Sequence, residues 1–206
     1  MKNSPARERG ISRRSWLLAG LSIPLFKAWG NEQLNVRYDG DVIHVTAPSV
    51  HFLSGKPLER LRDGAAVAFV AQLDLLNESR VPVRQPQKAR FVVSLDLWED
   101  KFSVTQLGKT PRSVDRLSAS AAELWCFEGL TMSTLGVPPD QYFWLRFEMR
   151  TGSPRDLEGD LPQGFNLREL IALLGRKKSE EIHWGPLETR MRLADLPRMQ
   201  GRGMRG

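Results

Sequence analysis

The sequence predicts a mainly β or α+β fold, with an antiparallel β-sandwich-like domain and two or three short helices. Apolar and polar residues alternate along several stretches, as they do in strands that have one buried face. An Asp-Gly pair at 39–40 lies between two such stretches and favours a hairpin turn. A doubly wound α/β fold would need many more crossover helices than the apolar stripes of this chain predict.

The predicted strands lie between residues 34 and 150. They cover 34–38, 42–47, 65–76, 89–98, 101–106 and 141–150. In the strand at 89–98, Leu97 belongs to the apolar side and Trp98 ends the strand, before a turn at Glu99 and Asp100. The segment at 151–164 is rich in Gly, Pro and Asp and is predicted to be a loop.

The predicted helical segments are 54–64, 120–128 and 167–174. Ser54 is interpreted as the N-terminal cap of the first segment, and Gly64 as its end. Ser120 and Glu123 have the spacing of a capping box for the second segment, which Gly129 ends. The third segment carries apolar residues at i, i+3, i+4 and i+7, the stripe of an amphipathic helix.

The first thirty residues have the order of an export signal: a basic segment, a short apolar run at 16–26, and small residues at the end. The apolar run has eleven residues and contains a proline, whereas a membrane span takes about 20 apolar residues. Ala28 and Gly30 form a small-x-small cleavage site. We therefore expect a signal peptide at 1–30, a single β-rich globular domain at 31–197 and a disordered basic tail at 198–206.

The leader also contains a motif made of Ser12, Arg13, Arg14, Trp16 and Leu17. These residues resemble a twin-arginine signal peptide, with Trp16 at the aromatic position and Leu18 in place of the usual Lys. The resemblance implies export by the twin-arginine translocase, cleavage by signal peptidase, and a periplasmic or secreted mature chain. An uncleaved leader that acts as a weak membrane anchor is the alternative.

A second resemblance covers residues 45–150. The sequence Leu-Ser-Gly-Lys-Pro-Leu at 53–58, followed by Gly64 and a long alternating strand, is similar to an uncharacterised family of bacterial exported β-rich proteins. This resemblance implies a β-rich fold and no particular activity.

Charge argues against a nucleic-acid partner. The whole chain has a net charge of +6, but residues 1–30 hold six of its basic residues and only one acid. The remaining chain therefore carries 24 basic and 23 acidic residues. Because a nucleic-acid-binding domain needs a basic surface, we expect no DNA or RNA partner.

Residue types that support chemistry are few. The candidate metal ligands are His44, His51, His183 and Cys126. No zinc-type spacing joins them, and the chain has no Gly-x-Ser-x-Gly elbow and no phosphate-binding Gly-rich loop. We therefore assign no catalytic, metal or cofactor-binding residues, and we interpret Cys126 as a buried core residue.

Three aromatic residues, Trp98, Tyr142 and Trp144, form a candidate ligand platform for a sugar or a peptide. The alternative is that a helix, for example the one that bears Trp125, covers these rings. The sequence thus favours an exported envelope protein that is a non-catalytic binding, accessory or assembly domain. The competing hypothesis is a hydrolytic or cofactor-carrying enzyme that is exported in the folded state.

Overall fold

Two antiparallel sheets form the framework of the part of the chain that the computed structural model describes, residues 34–157 and 180–198. In chain order the strands are β1 (Asn35–Asp39), β2 (Val42–Thr46), β3 (Val67–Leu76), β4 (Gln87–Asp96), β5 (Lys101–Leu107), β6 (Arg112–Leu117), β7 (Thr131–Ser133), β8 (Phe143–Thr151) and β9 (His183–Met191). The helices are α1 (Gly55–Arg62), α2 (Ala119–Glu128) and α3 (Pro154–Leu157), and a 3-10 turn covers Leu193–Asp195. The predicted mainly β fold with short helices is confirmed.

The smaller sheet has the order β1-β2-β7, and the larger has the order β6-β5-β4-β3-β8-β9. The β1–β2 hairpin follows from its Asp-Gly turn, because Gly40 has a φ of 65°, which glycine adopts without steric cost. In the larger sheet, β3 lies in the middle and pairs with both β4 and β8. Each strand of this sheet is antiparallel to its neighbours.

One hydrophobic core joins the two sheets to α1 and α2. On β8 every second residue is buried, as the alternation in the sequence predicts. The ring of Phe52 lies 4.7 Å from the ring of Phe69 on β3 and 5.9 Å from that of Phe127 on α2. Because α2 contacts both β2 and β5, it connects the two sheets. Cys126 is buried in this core, as expected, and its burial raises the pKa of its thiol well above the usual range, with a smaller contribution from the charge of Glu123.

Several predicted details are wrong. The sequence did not predict β6, β7 or β9, and the predicted loop at 151–164 contains α3. The N-terminal cap of α2 is Ser118, whose side chain accepts a hydrogen bond from the backbone N–H of Ala121, so Ser120 and Glu123 do not form the capping box. Ser54 occupies the cap position of α1 but makes no side-chain capping bond there.

The predicted leader, with its motif and cleavage residues, lies outside the described residues. The same holds for the predicted helix at 167–174 and for residues 199–206 of the predicted tail. At the end of the described chain, the backbone N–H of Tyr38 donates to the carbonyl of Pro197 at 3.0 Å, and Tyr38 forms a parallel bridge with Arg198. Among the described residues, no helix is long and apolar enough to cross a membrane.

Candidate binding surfaces: covered and exposed aromatic residues

Two of the three predicted platform residues lie beside β9 at the start of β8, and arginine side chains cover both. The guanidinium carbon of Arg80 lies 3.6 Å from the ring centroid of Trp144. Those of Arg190 and Arg192 lie 3.9 Å and 4.8 Å from the ring centroid of Tyr142. A guanidinium over an aromatic face is a favourable cation–π arrangement. We call these five residues the arginine-covered surface.

Arg80 reaches Trp144 because the connection between β3 and β4 folds back over the sheet. Asn77 holds this turn: its carbonyl accepts from the N–H of Arg80 at 3.0 Å, and its side-chain oxygen accepts from the N–H of Val81 at 2.9 Å. Arg80 has a φ of 62° at the turn and also forms an ion pair with Glu188 on β9. The connection thus holds the guanidinium over the ring.

The same connection is fixed at a second point. The guanidinium of Arg84 donates to the carbonyl of Ser133 at 2.6 Å and to the carbonyl of Leu135. Both acceptors lie at or just after β7, which belongs to the smaller sheet. Arg84 therefore connects the β3–β4 connection to the other sheet.

Further along β8, the outward-facing arginines are paired with carboxylates. The Nε of Arg146 donates to Glu148 at 2.8 Å. Asp156 accepts hydrogen bonds from Arg150 at 3.0 Å and from both the N–H and the hydroxyl of Ser153 at 2.8 Å. The hydrogen bond from Arg150, followed by those from Ser153, holds the pKa of Asp156 far below its usual value, against the opposing effect of burial.

The third predicted platform residue, Trp98, lies near the opposite end of the larger sheet. Trp144 is opposite Leu76 on β3, whereas Val93 of β4 is opposite Val67. β3 has ten residues, and the nine steps from its first residue to its last span about 30 Å at about 3.3 Å per step; Trp98 lies beyond Val93. The structure therefore does not bring Trp98 together with Tyr142 and Trp144.

The helix that bears Trp125 does not cover these rings. Trp125 on α2 packs against Phe91 in the core, with 6.5 Å between the ring centroids. It is half-buried there and contributes to the core side of the sheet. Trp144 is covered by Arg80, not by α2. Stacking of a sugar on this face of Trp144 would first have to displace Arg80.

Trp98 itself is almost entirely exposed. Its relative accessibility is 99%, and that of the neighbouring Leu97 is 56%. Both residues lie in the four-residue turn between β4 and β5, which the pairing of Asp96 with Lys101 closes. β4 ends at Asp96, two residues earlier than predicted, and Leu97 does not enter the core. We call residues 96–101 the β4–β5 tip.

The backbone of the β4–β5 tip is held by the side chain of Asp96. The carboxylate of Asp96 accepts from the N–H of Trp98 at 2.8 Å and from that of Glu99 at 3.2 Å, as aspartates do in turns. Asp100 has a φ of 52°, a conformation that aspartate tolerates better than most residues. Arg116 of β6 donates to Glu99 at 3.0 Å.

A glutamate–histidine pair lies elsewhere, between α2 and the loop before α1. The carboxylate of Glu123 is buried; it contacts Nδ1 of His51 at 3.1 Å and accepts from the N–H of Leu53 at 2.8 Å. Ser54 is nearby, but its hydroxyl donates to the carbonyl of His51 at 2.7 Å. The hydroxyl is thus not bonded to the imidazole, and the three residues do not form a nucleophilic triad.

The other two histidines lie on strands. His44 lies on β2, and His183 begins β9, 3.6 Å from Glu181. Within residues 34–157 and 180–198, no group of three or more His, Cys, Asp or Glu side chains is placed to hold a metal ion.

Comparison with known proteins gives no relative for this chain: no family model, no curated protein and no solved structure matches it.

Proposed function

We propose that this chain is an exported bacterial envelope protein whose folded domain is a non-catalytic binding, accessory or assembly module. The observation that carries the proposal is the exposure of Trp98 on a turn that is fixed by hydrogen bonds. Tryptophan is among the residues that dominate the energy of protein interfaces when they become buried. A tryptophan held in water on a rigid turn is therefore a strong candidate for a binding contact.

Export is the part of the proposal that depends on the leader. Its Arg13-Arg14 motif favours the twin-arginine translocase, and the Ala28 and Gly30 pair favours cleavage by signal peptidase. The mature domain would then lie in the periplasm or outside the cell. The test is a fusion of the full chain to a reporter, compared with the Arg13→Lys/Arg14→Lys variant. We expect the native fusion outside the inner membrane and the variant in the cytosol; equal export of both would overturn the twin-arginine route.

Binding is tested by photo-crosslinking in the chain's own host cell. A photoreactive residue is placed at Trp98, Leu124 or Leu135, three exposed apolar positions, in otherwise native full-length protein. We expect at least one position to give a discrete, light-dependent adduct with another macromolecule. If no position gave an adduct although the protein was exported and folded, the binding function would be wrong.

The Glu123–His51 pair favours one competing function, an exported hydrolase. A buried carboxylate that orients an imidazole is the arrangement in which histidine acts as a general base. The purified mature protein can be assayed on chromogenic ester and phosphate substrates. Turnover that disappears in His51→Ala but persists in His44→Ala would favour the hydrolase over the binding module; we expect no turnover.

A further inference from the structure

We infer that the β4–β5 tip inserts into an apolar pocket of a partner protein, and that lysine and arginine side chains border this pocket. The inference rests on the proposed binding function and specifies which surface binds and what it binds. Three properties of the tip carry it: its apolar side chains, its fixed backbone and its acidic border.

The apolar part of the tip has the size and shape of an interface anchor. Trp98 is exposed over 99% of its surface and Leu97 over 56%, and they are adjacent in the turn. They lie in the turn at the end of the β4–β5 hairpin, where most of their surface is exposed to water. A concave pocket would cover both, and anchor residues at interfaces typically fill such pockets.

The fixed backbone lowers the cost of insertion. The two hydrogen bonds from backbone N–H groups to Asp96 hold the turn before any partner arrives. A preorganised loop loses less conformational freedom on binding than a flexible one. This arrangement also explains why an exposed tryptophan lies in a turn of defined geometry.

The border of the tip is acidic. Asp96, Glu99 and Asp100 flank the two apolar residues in the sequence, whereas the nearby bases are Lys101 and Arg116, which pairs with Glu99, so the net charge is −1. Charges at the edge of an interface steer association and select partners of opposite charge. The pocket that receives Trp98 is therefore expected to have a basic border.

The same acidic border argues against a lipid surface as the occupant. Tryptophan is common at membrane interfaces, but peripheral segments that bind anionic bilayers carry lysine and arginine beside their apolar residues. With three carboxylates against Lys101 and Arg116, the surroundings of Trp98 carry a net negative charge, which an anionic headgroup layer would repel. A pocket on a protein can combine an apolar interior, which would bury Trp98, with a basic border, which would attract the carboxylates.

The test places the photoreactive residue at Lys101, beside the anchor, in full-length protein in its own host cell. Trp98→Ala is expected to lower the yield of a protein adduct by about 30-fold, the loss typical of an anchor residue. Leu135→Ala, which removes another exposed apolar side chain elsewhere, is the control and is expected to leave the yield unchanged. Equal yields in Trp98→Ala and native protein would overturn the inference.

Charge dependence is tested in the same assay. Glu99→Lys/Asp100→Asn is expected to lower the yield by about tenfold, because it weakens attraction to a basic border. The control, Asp39→Asn/Asp41→Lys, makes the same change in charge at the β1–β2 hairpin of the other sheet. An adduct that is unaffected by the first double variant would overturn the proposed basic border.

Other occupants are separated by two further measurements. The purified mature protein is mixed with vesicles of phosphatidylethanolamine and phosphatidylglycerol; we expect no sedimentation with them, and Trp98-dependent sedimentation would overturn the inference in favour of a membrane. An adduct with the mass of two copies of the chain would overturn it in favour of self-association. Adducts from Leu124 or Leu135 but not from the tip would overturn this inference while leaving the proposed binding function intact.

Discussion

Trp144 and Trp98 belong to the same six-stranded sheet, yet the chain covers one ring and leaves the other in water. Arg80 stacks on Trp144, and Glu188 holds Arg80 in place. Trp98 is 99% exposed and contributes only its backbone N–H to the structure around it. The covered ring stabilises the fold, whereas the exposed ring keeps its apolar surface available for a partner.

The difference follows from the length and composition of two connections. The β3–β4 connection has ten residues between the strands, enough to fold back over the sheet and bring Arg80 and Arg84 to their partners. The β4–β5 turn has four residues, too few to cover its own side chains. Side chains in such a short turn therefore stay exposed to solvent, and their polarity decides whether they form a binding surface.

The largest expected effect on stability is at the covered ring. Trp144→Ala removes a half-buried ring and the surface on which Arg80 stacks, so we expect the free energy of unfolding to fall by about 2 kcal/mol. Urea denaturation of the purified mature domain, with Trp98→Ala as the control, measures this difference. Equal losses in the two variants would contradict the distinction between a covered and an exposed tryptophan.

The second expected effect concerns pH and the ion pairs of β8. Because hydrogen bonds from Arg150 and Ser153 lower the pKa of Asp156, its stabilising contribution is fully present above the pKa of the unfolded chain, about 4, and declines as pH falls from that value towards the much lower pKa of the folded protein. We expect Asp156→Asn to cost about 1 to 2 kcal/mol near neutral pH and less at about pH 3, where only part of the contribution has been lost.

Unfolding in urea at the two pH values checks this expectation. The matched control is Glu99→Gln at the β4–β5 tip, whose ion pair with Arg116 is more exposed and should therefore contribute little. A cost of Asp156→Asn that is the same at both pH values would show that the carboxylate is not stabilised by its charge.

The sequence predicts the central strands of the larger sheet better than its edge strands. The alternation along β3, β4 and β8 predicts them because each has at least one face in the core. The strands β6 and β9 are at the two edges of the larger sheet, and most of their residues are exposed or half-buried. Such strands form mainly because they pair with a neighbouring strand. Their own sequences therefore show little alternation of apolar and polar residues.

The candidate surfaces show the same limit. Aromatic residues at 98, 142 and 144 are visible in the sequence, but their grouping depends on register, which placed Trp98 at the far end of the sheet. No local pattern indicates that Arg80 stacks on Trp144, because 64 positions separate them in the chain. One signal was available: Asp96 two residues before Trp98 is typical of a turn in which the aspartate accepts from the backbone, and it indicated an earlier end of β4.

The third expected effect is at Arg80, whose removal should make the covered ring resemble the exposed one. Arg80→Ala loses the stacking on Trp144 and the ion pair with Glu188, and we expect a cost of about 1 kcal/mol. Quenching of tryptophan fluorescence by acrylamide should increase relative to native protein. Arg116→Ala, which removes an arginine that pairs with Glu99 at the tip, is the control and should leave quenching of Trp144 unchanged.

The smallest expected effect on stability is at Trp98 itself. Because its ring contacts almost nothing in the free protein, Trp98→Ala should change the free energy of unfolding by less than about 0.5 kcal/mol. The difference in fluorescence between native protein and Trp98→Phe should be the emission of a tryptophan in water that acrylamide quenches freely. A blue-shifted, protected difference spectrum would mean that the ring is already buried in solution. Such a result would remove the contrast with Trp144, because the β4–β5 tip would then have no free apolar surface to offer a partner.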